Sequence, residues 1–280
     1  MTGAKAEKIL IALRGGAADF FKAQARIRAV MAAHPAASFS LLASLPLVDM
    51  ARRSRLFGEV ITLRAAPAFD VVSKISIYRN LKQSGFTGVY HMGAPLPFAA
   101  RRALASVPVL EEGEAPSASP ALEWMATDVS LFGLQKPYML LLPGHAAVWP
   151  AVRYAAAALK LIRAGCAVAV MGTDADAGTA RKICAAAPEI KDITGRTSYY
   201  DVYSLAHAAE GMVGAPSAAL HLAAMAGCPV VALLDGAADL QCDTPQGNAV
   251  TVIQADDVSG ITVEDVLRNM RPRPQKGDAA

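Results

Sequence analysis

The apolar positions of this chain follow two alternating rhythms. Residues 8–13 (KILIAL) are a short apolar run; two glycines follow, then a stretch at 18–33 with helical spacing that stops at His34-Pro35. That pattern predicts a strand, a tight turn and a helix. Short runs at 38–43, 59–63, 88–91 and 107–110 predict further strands, with helices at 69–83 and 96–105 between them. A Glu-, Pro- and Ser-rich stretch at 111–120 reads as a linker, and 121–134 as a joining helix. The rhythm then restarts, with strands expected at 138–142, 166–171, 190–193, 211–213 and 230–234 and helices at 151–164, 177–187, 200–208 and 217–226. Strands alternating with helices build parallel sheets. The expected class is therefore α/β, with two Rossmann-like parallel-sheet domains facing a central cleft. The domains are drawn at 1–136, linker included, and 137–270, leaving 271–280 as a flexible tail.

Composition narrows the classes. The 280 residues suffice for two cores without disulfides or metals. At 54% hydrophobic and 18% charged the chain is not a disordered one, and no apolar run approaches the roughly 18 to 20 residues that cross a bilayer. The run at 9–13 is broken by Arg14 and does not read as a signal peptide. Cys166, Cys184, Cys228 and Cys242 form no CxxC pair, so they are expected as buried, reduced thiols of a cytoplasmic protein. No metal site is expected. P-loop, HExxH and GxSxG patterns are absent, which argues against Walker-type hydrolysis, zincin chemistry and α/β-hydrolase chemistry.

Charge is unevenly placed. Residues 1–110 carry fifteen Lys and Arg against five Asp and Glu, a balance of +10, whereas 111–280 carry twelve against nineteen, a balance of −7. Clusters such as Arg52, Arg53, Arg55 and Arg101, Arg102 suit an anionic ligand or lipid head groups, or simply solvate helix surfaces. Nucleic acid is the less favoured partner.

In open α/β sheets ligands bind beyond the carboxyl ends of strands, where helix N-termini favour anions. The first such turn, Arg14-Gly15-Gly16-Ala17-Ala18-Asp19, places Asp19 where it serves either as a general base or as a helix cap. The second, Gly214-Ala215-Pro216-Ser217, leads into a helix with His221 one turn inside it. A hydroxyl and an imidazole beside helix amides suit a diphosphate; a core histidine is the competing reading. The turn Gly172-Thr173-Asp174-Ala175-Asp176 offers a carboxylate to ribose hydroxyls, and Gly195-Arg196-Thr197-Ser198 precedes another helix.

Taken together, the segments KILIALRGGAAD, DITGRTSYYD and VGAPSAALHLAAMAGCPVVALLDG, with Trp149-Pro150, resemble glycosyltransferase family 9, the ADP-heptose:lipopolysaccharide heptosyltransferases, in order over both halves. The family pattern is roughly KILI-x-x-x-G-A-L-G-D, then L-x-G-x-T-S-L-x-E and V-G-N-D-[ST]-G-x-x-H-L-A-A-x-x-G-x-P-V-V-A-L-F-G. The resemblance implies a GT-B fold and an inverting, metal-independent transfer from an ADP-sugar donor, with no cofactor. It puts the catalytic base on Asp19, with Gly15 and Gly16 in its turn. Substrate contacts fall on Gly214, Ser217, His221, Thr197 and, in place of a glutamate, Asp176. It further implies an anionic glycolipid or glycan acceptor, and a cytoplasmic location with peripheral contact at the inner membrane surface. Ala215-Pro216 replaces the family's Asn-Asp, Ala18 and Ala218 replace glycines, and the lysine ahead of Trp-Pro is absent, with His145 a partial substitute. Each lost charge-assisted contact to a diphosphate weakens binding by roughly ten- to a hundred-fold. The alternative expectation is a catalytically impaired relative acting as a binding or scaffold protein.

Overall fold

The computed structural model describes residues 7–63, 70–111, 122–144 and 149–270, apart from the side chains of residues 241 and 242. The linker and tail, His145 and the Cys242 side chain fall outside the described residues, Glu111 excepted. The chain divides into two compact units, Met1–Pro120 and Ala121–Ala280.

In unit 1 the elements are β1 (Lys8–Arg14), α1 (Ala17–Ala33), β2 (Ser38–Ser44), α2 (Val48–Ser54), β3 (Glu59–Leu63), α3 (Val71–Gln83), β4 (Gly88–Gly93) and α4 (Phe98–Ala103). The four strands are parallel in the order β3-β2-β1-β4, with Ile11 of central β1 paired to Leu41 on one side and Tyr90 on the other. A parallel strand covered on both faces needs a continuous apolar run rather than alternation. The stretch from Ile9 to Leu13 is such a run, and all five residues are buried. The strand expected at 107–110 is reduced to one parallel bridge, Val89 to Val109, beside β4.

Unit 2 contains β5 (Tyr138–Leu142), α5 (Ala151–Arg163), β6 (Ala167–Val170), α6 (Ala177–Cys184), β7 (Ile190–Asp192), α7 (Tyr199–Ala208), β8 (Gly211–Gly214), α8 (Ala218–Met225), β9 (Val230–Asp235), α9 (Leu240–Asp243), β10 (Val250–Ala255) and α10 (Val263–Asn269). Its six parallel strands run β10-β9-β8-β5-β6-β7. Leu141, Val170, Val213 and Leu233 line the sheet face that packs on Trp149, Tyr154 and Ala158.

The helix expected at 121–134 does not form; the segment makes two single 3-10 turns, Glu123–Met125 and Ser130–Phe132, and ends at Gly133 with φ +56. The Asp128 carboxylate accepts from the Ser130 amide at 2.8 Å, a local bond that competes with helical pairing. That bond also holds the Asp128 carboxyl below the usual carboxylate range. This segment packs within unit 2: the Thr127 amide donates to Ser204 Oγ at 2.8 Å, and the Trp124 ring meets Tyr200 edge-on.

Among the described residues no helix is long and apolar enough to cross a membrane. Cys166, Cys184 and Cys228 are free thiols, and burial with the Asp192 carboxylate nearby pushes the Cys184 thiol up to about 11.

Candidate functional site

Each sheet reverses its strand order at one place, next to its first strand: between β1 and β4 in unit 1, and between β5 and β8 in unit 2. Connections on the two sides of such a point leave in opposite directions and open a crevice at the carboxyl ends. In unit 2 the crevice is walled by the end of β5 and by Gly214, the last residue of β8. A Cβ on Gly214 would lie 2.2 Å from the Leu142 carbonyl oxygen, so only glycine lets the two strand ends lie this close. The chain then turns through Ala215 and Pro216 into Ser217, the N-cap of α8, whose Oγ accepts from the Leu220 amide at 3.2 Å. The amides of Ala218 and Ala219, ahead of that bond, have no intrahelical acceptor. They point a positive helix end at the crevice, the arrangement that binds phosphate.

His221 lies one turn further in α8 and is only 3% exposed. Its ring lies in the interior of unit 2. Trp149 is likewise interior: its indole N–H donates to the Ile261 carbonyl at 2.7 Å, and its ring stands edge-on to Tyr154 at 4.8 Å.

The turns after β6 and β7 are tied together by the Gly195 amide donating to the Gly172 carbonyl at 2.9 Å. Asp176 is 3% exposed, and its Oδ2 accepts from the Thr173 amide at 2.7 Å and from the Thr173 hydroxyl at 2.9 Å. Its carboxylate fastens the start of the helix and faces no solvent. The carboxylate presented at this edge is that of Asp174, which is exposed and leans over Gly195: a Cβ there would lie 2.1 Å from Asp174 Oδ1. The sequence places Asp174 and Asp176 in one turn; helical register buries one and presents the other. Thr197, half-buried, directly precedes Ser198, which caps α7 and exchanges hydrogen bonds with Asp201.

In unit 1 the equivalent turn carries Asp19. Its Oδ2 accepts from the Gly16 amide at 2.8 Å, curling the carboxylate back over Gly15, where a Cβ would lie 2.2 Å from it. Among the described residues Asp19 Oδ1 has no hydrogen-bond partner. Arg14, exposed at the end of β1, donates to the Pro95 carbonyl, and Ser44 Oγ donates to the Gly15 carbonyl at 2.6 Å. The turn is therefore braced on both sides while half of its carboxylate stays open.

A family model described as glycosyltransferase family 9 (heptosyltransferase) matches residues 106–264, more than half of the chain. The chain belongs to glycosyltransferase family 9. A comparison with curated protein sequences finds no match. Among solved structures, ADP-heptose LPS heptosyltransferase II of E. coli is similar at 19% identity with a TM-score of 0.72, over 94% of this chain and 97% of that one. A family 9 glycosyl transferase from Veillonella parvula DSM 2008 is similar at 14% identity and TM-score 0.78, over 94% and 95%. UDP-GlcNAc 2-epimerase from Methanocaldococcus jannaschii is similar too, at 12% identity and TM-score 0.63, over 96% and 93%. These likenesses establish the two-domain GT-B fold, which hosts more than one reaction. The family 9 match, falling mostly on unit 2, is what sets this chain apart from the epimerases.

Proposed function

We propose that this family 9 protein is an inverting, metal-independent glycosyltransferase, acting in the cytoplasm, that moves a heptose-like sugar from an ADP-sugar to a lipopolysaccharide-core or other glycan acceptor. The observation that carries the reading is the switch-point crevice of unit 2, where Gly214, the Ser217 cap and the Ala218 and Ala219 amides meet. The leaving diphosphate carries the charge that develops in the transition state, and fixed amide dipoles stabilise it without reorganising. Backbone donors serve this role where the family's acidic side chain has become Ala215-Pro216. Asp174 accepts from the ribose hydroxyls. On unit 1, the open Oδ1 of Asp19 takes the proton of the acceptor hydroxyl as that oxygen attacks the anomeric carbon. The bond to the diphosphate breaks, the configuration at that carbon inverts, and the proton stays on Asp19 until solvent removes it.

One observation favours a second reading, a binding or scaffold protein: Ala215 and Pro216 put no charge at the donor crevice. Isothermal titration with ADP separates the two. Binding at micromolar strength supports the transferase, and no heat at millimolar ADP sinks it in favour of the scaffold.

A further inference from the structure

The sheet of unit 2 has a second opening, at the end away from the donor crevice. A pocket of about 530 Å³ lies at the amino ends of β5, β8, β9 and β10, a size within the range of small-molecule sites. Its floor includes Met139 and Val231, and the last turns of α5 and α10 wall it with Leu161, Leu267 and Met270. Met139 and Gly211 stand two residues ahead of Leu141 and Val213, on the sheet face that packs on Tyr154 and Ala158 of α5. That helical cover stops short of the amino edge. Gly211 brings no side chain to the floor, and a Cβ there would lie 2.8 Å from Met139 Cε, so the Met139 side chain lies across the start of β8. Met139 and Met270 are flexible thioethers that adapt to the shape of a bound body.

The ionisable side chains of the lining leave one charge unbalanced. Lys160 is taken up by Glu264 of α10, to which its ammonium donates. Glu210, half-buried just ahead of β8, ties its backbone amide to the Tyr138 carbonyl at 2.9 Å. Its carboxylate has no ion pair or hydrogen bond among the described residues. Burial, with that carboxylate nearby, raises the Cys166 thiol above its ordinary range, so this third lining group stays neutral at pH 7. An apolar lining with one uncompensated carboxylate repels anions. A neutral body would leave the carboxylate unpaired as it covers it, whereas a cation on an apolar body satisfies both parts of the pocket.

We propose that this pocket binds a small organic cation, an ammonium group carried on an aliphatic or aromatic body, with the ammonium on Glu210 and the body between Met139, Leu161 and Met270. The site takes a ligand of its own, at the opposite end of β5 and β8 from the diphosphate. It is built by unit 2 alone and does not rest on the transferase reading.

Titration calorimetry of the full chain with phenylbutylamine, against phenylbutyrate, tests the charge and the body together. The two probes carry similar hydrocarbon and differ in the sign of the head. The amine is expected to bind at least tenfold more tightly than the carboxylate, the effect of one charge-assisted hydrogen bond. Glu210→Gln, which keeps the shape of the side chain, should lose that preference with an unchanged melt. Cys166 reports the place of binding. Saturating amine should slow its alkylation by N-ethylmaleimide at least tenfold, read by peptide mass spectrometry, and leave the rate at Cys184, outside the lining, as it was. No heat from the amine at millimolar concentration overturns the proposal. Equal affinity for the two probes overturns it as well, since Glu210 would then select nothing. So does a Glu210→Gln protein that keeps the preference, or a Cys166 whose alkylation the bound amine does not slow. The probe comparison and the Cys166 rate are read on wild type, so they decide even where Glu210→Gln does not fold.

Discussion

Asp19 and Asp176 occupy the same place in the same local device, one in each unit, yet the two turns leave their carboxylates in different states. Each follows the end of a strand, sits three residues after the helix N-cap and accepts from the cap amide, Gly16 at 2.8 Å and Thr173 at 2.7 Å. Each also lies over a glycine, Gly15 or Gly172, at a distance no Cβ would tolerate. The difference lies in burial, complete at Asp176 and partial at Asp19, and in the cap residue. Thr173 adds its hydroxyl to the Asp176 carboxylate, which is sealed from solvent; Gly16 has nothing to add, and Asp19 Oδ1 stays open. Ser198 treats Asp201 as Thr173 treats Asp176, with two donors on one oxygen. In all three turns the cap donors fall on Oδ2; what sets Asp19 apart is a half-buried position combined with a cap without a hydroxyl.

The largest effect should come from Asp19→Asn. The amide oxygen of asparagine still accepts from Gly16, so the melting temperature should hold, while transfer falls by roughly a hundred-fold or more because no base remains. Steady-state transfer assayed beside a thermal melt checks both. Unchanged transfer would end the distinction drawn between the two turns, since Asp19 would then be a cap and nothing more.

Next in size is the pair Asp174→Ala and Asp176→Ala, which separates the exposed carboxylate from the buried one within a single turn. Asp174→Ala should weaken ADP binding by about tenfold with an unchanged melt, the cost of one charge-assisted hydrogen bond. Asp176→Ala should cost about 1 to 3 kcal/mol of stability, because the Thr173 amide and hydroxyl lose their acceptor. Its ADP affinity, measured on folded protein by titration, should stay near wild type. The reverse pattern would return the donor contact to Asp176.

That pair also shows where sequence reading stops. The strands of both sheets through β9 are legible because parallel strands write continuous apolar runs. The edge strand β10 is not: Val250 to Ala255 has no fully buried residue, and its pattern VTVIQA carries no clear period. Short α2, α9 and α10 are missed as well, and the 121–134 segment is misread because Asp128 and Gly133 terminate what helical spacing alone would continue. At the site, the turns are legible from their glycines and cap residues. Which carboxylate faces out is not, because it depends on helical register: Asp174 and Asp176 are two residues apart, on different sides of the same turn. The burial of His221 is not legible either, since its spacing from Ser217 puts it on one helical face without saying that the face is covered.

The smallest effect is also the most direct interchange of the two turns. Gly16→Ser would give Asp19 the kind of hydroxyl donor that Asp176 has from Thr173. The position accepts it: Gly16 lies in the extended region, with φ −99 and ψ −166, and a Cβ there meets nothing within 4 Å. Serine in place of glycine at a helix N-cap stabilises by a few tenths of a kcal/mol, so the melt should rise slightly. Transfer should fall modestly even so, because a second donor on Oδ2 draws electron density from the carboxylate whose Oδ1 is to take the acceptor proton, while ADP affinity, assigned to unit 2, should not move. A stabilised protein with a lower turnover and an unaltered donor affinity is the outcome that Asp19 as the base predicts. A stabilised protein with undiminished turnover would mean that the bare cap at Gly16 has no part in keeping Asp19 reactive.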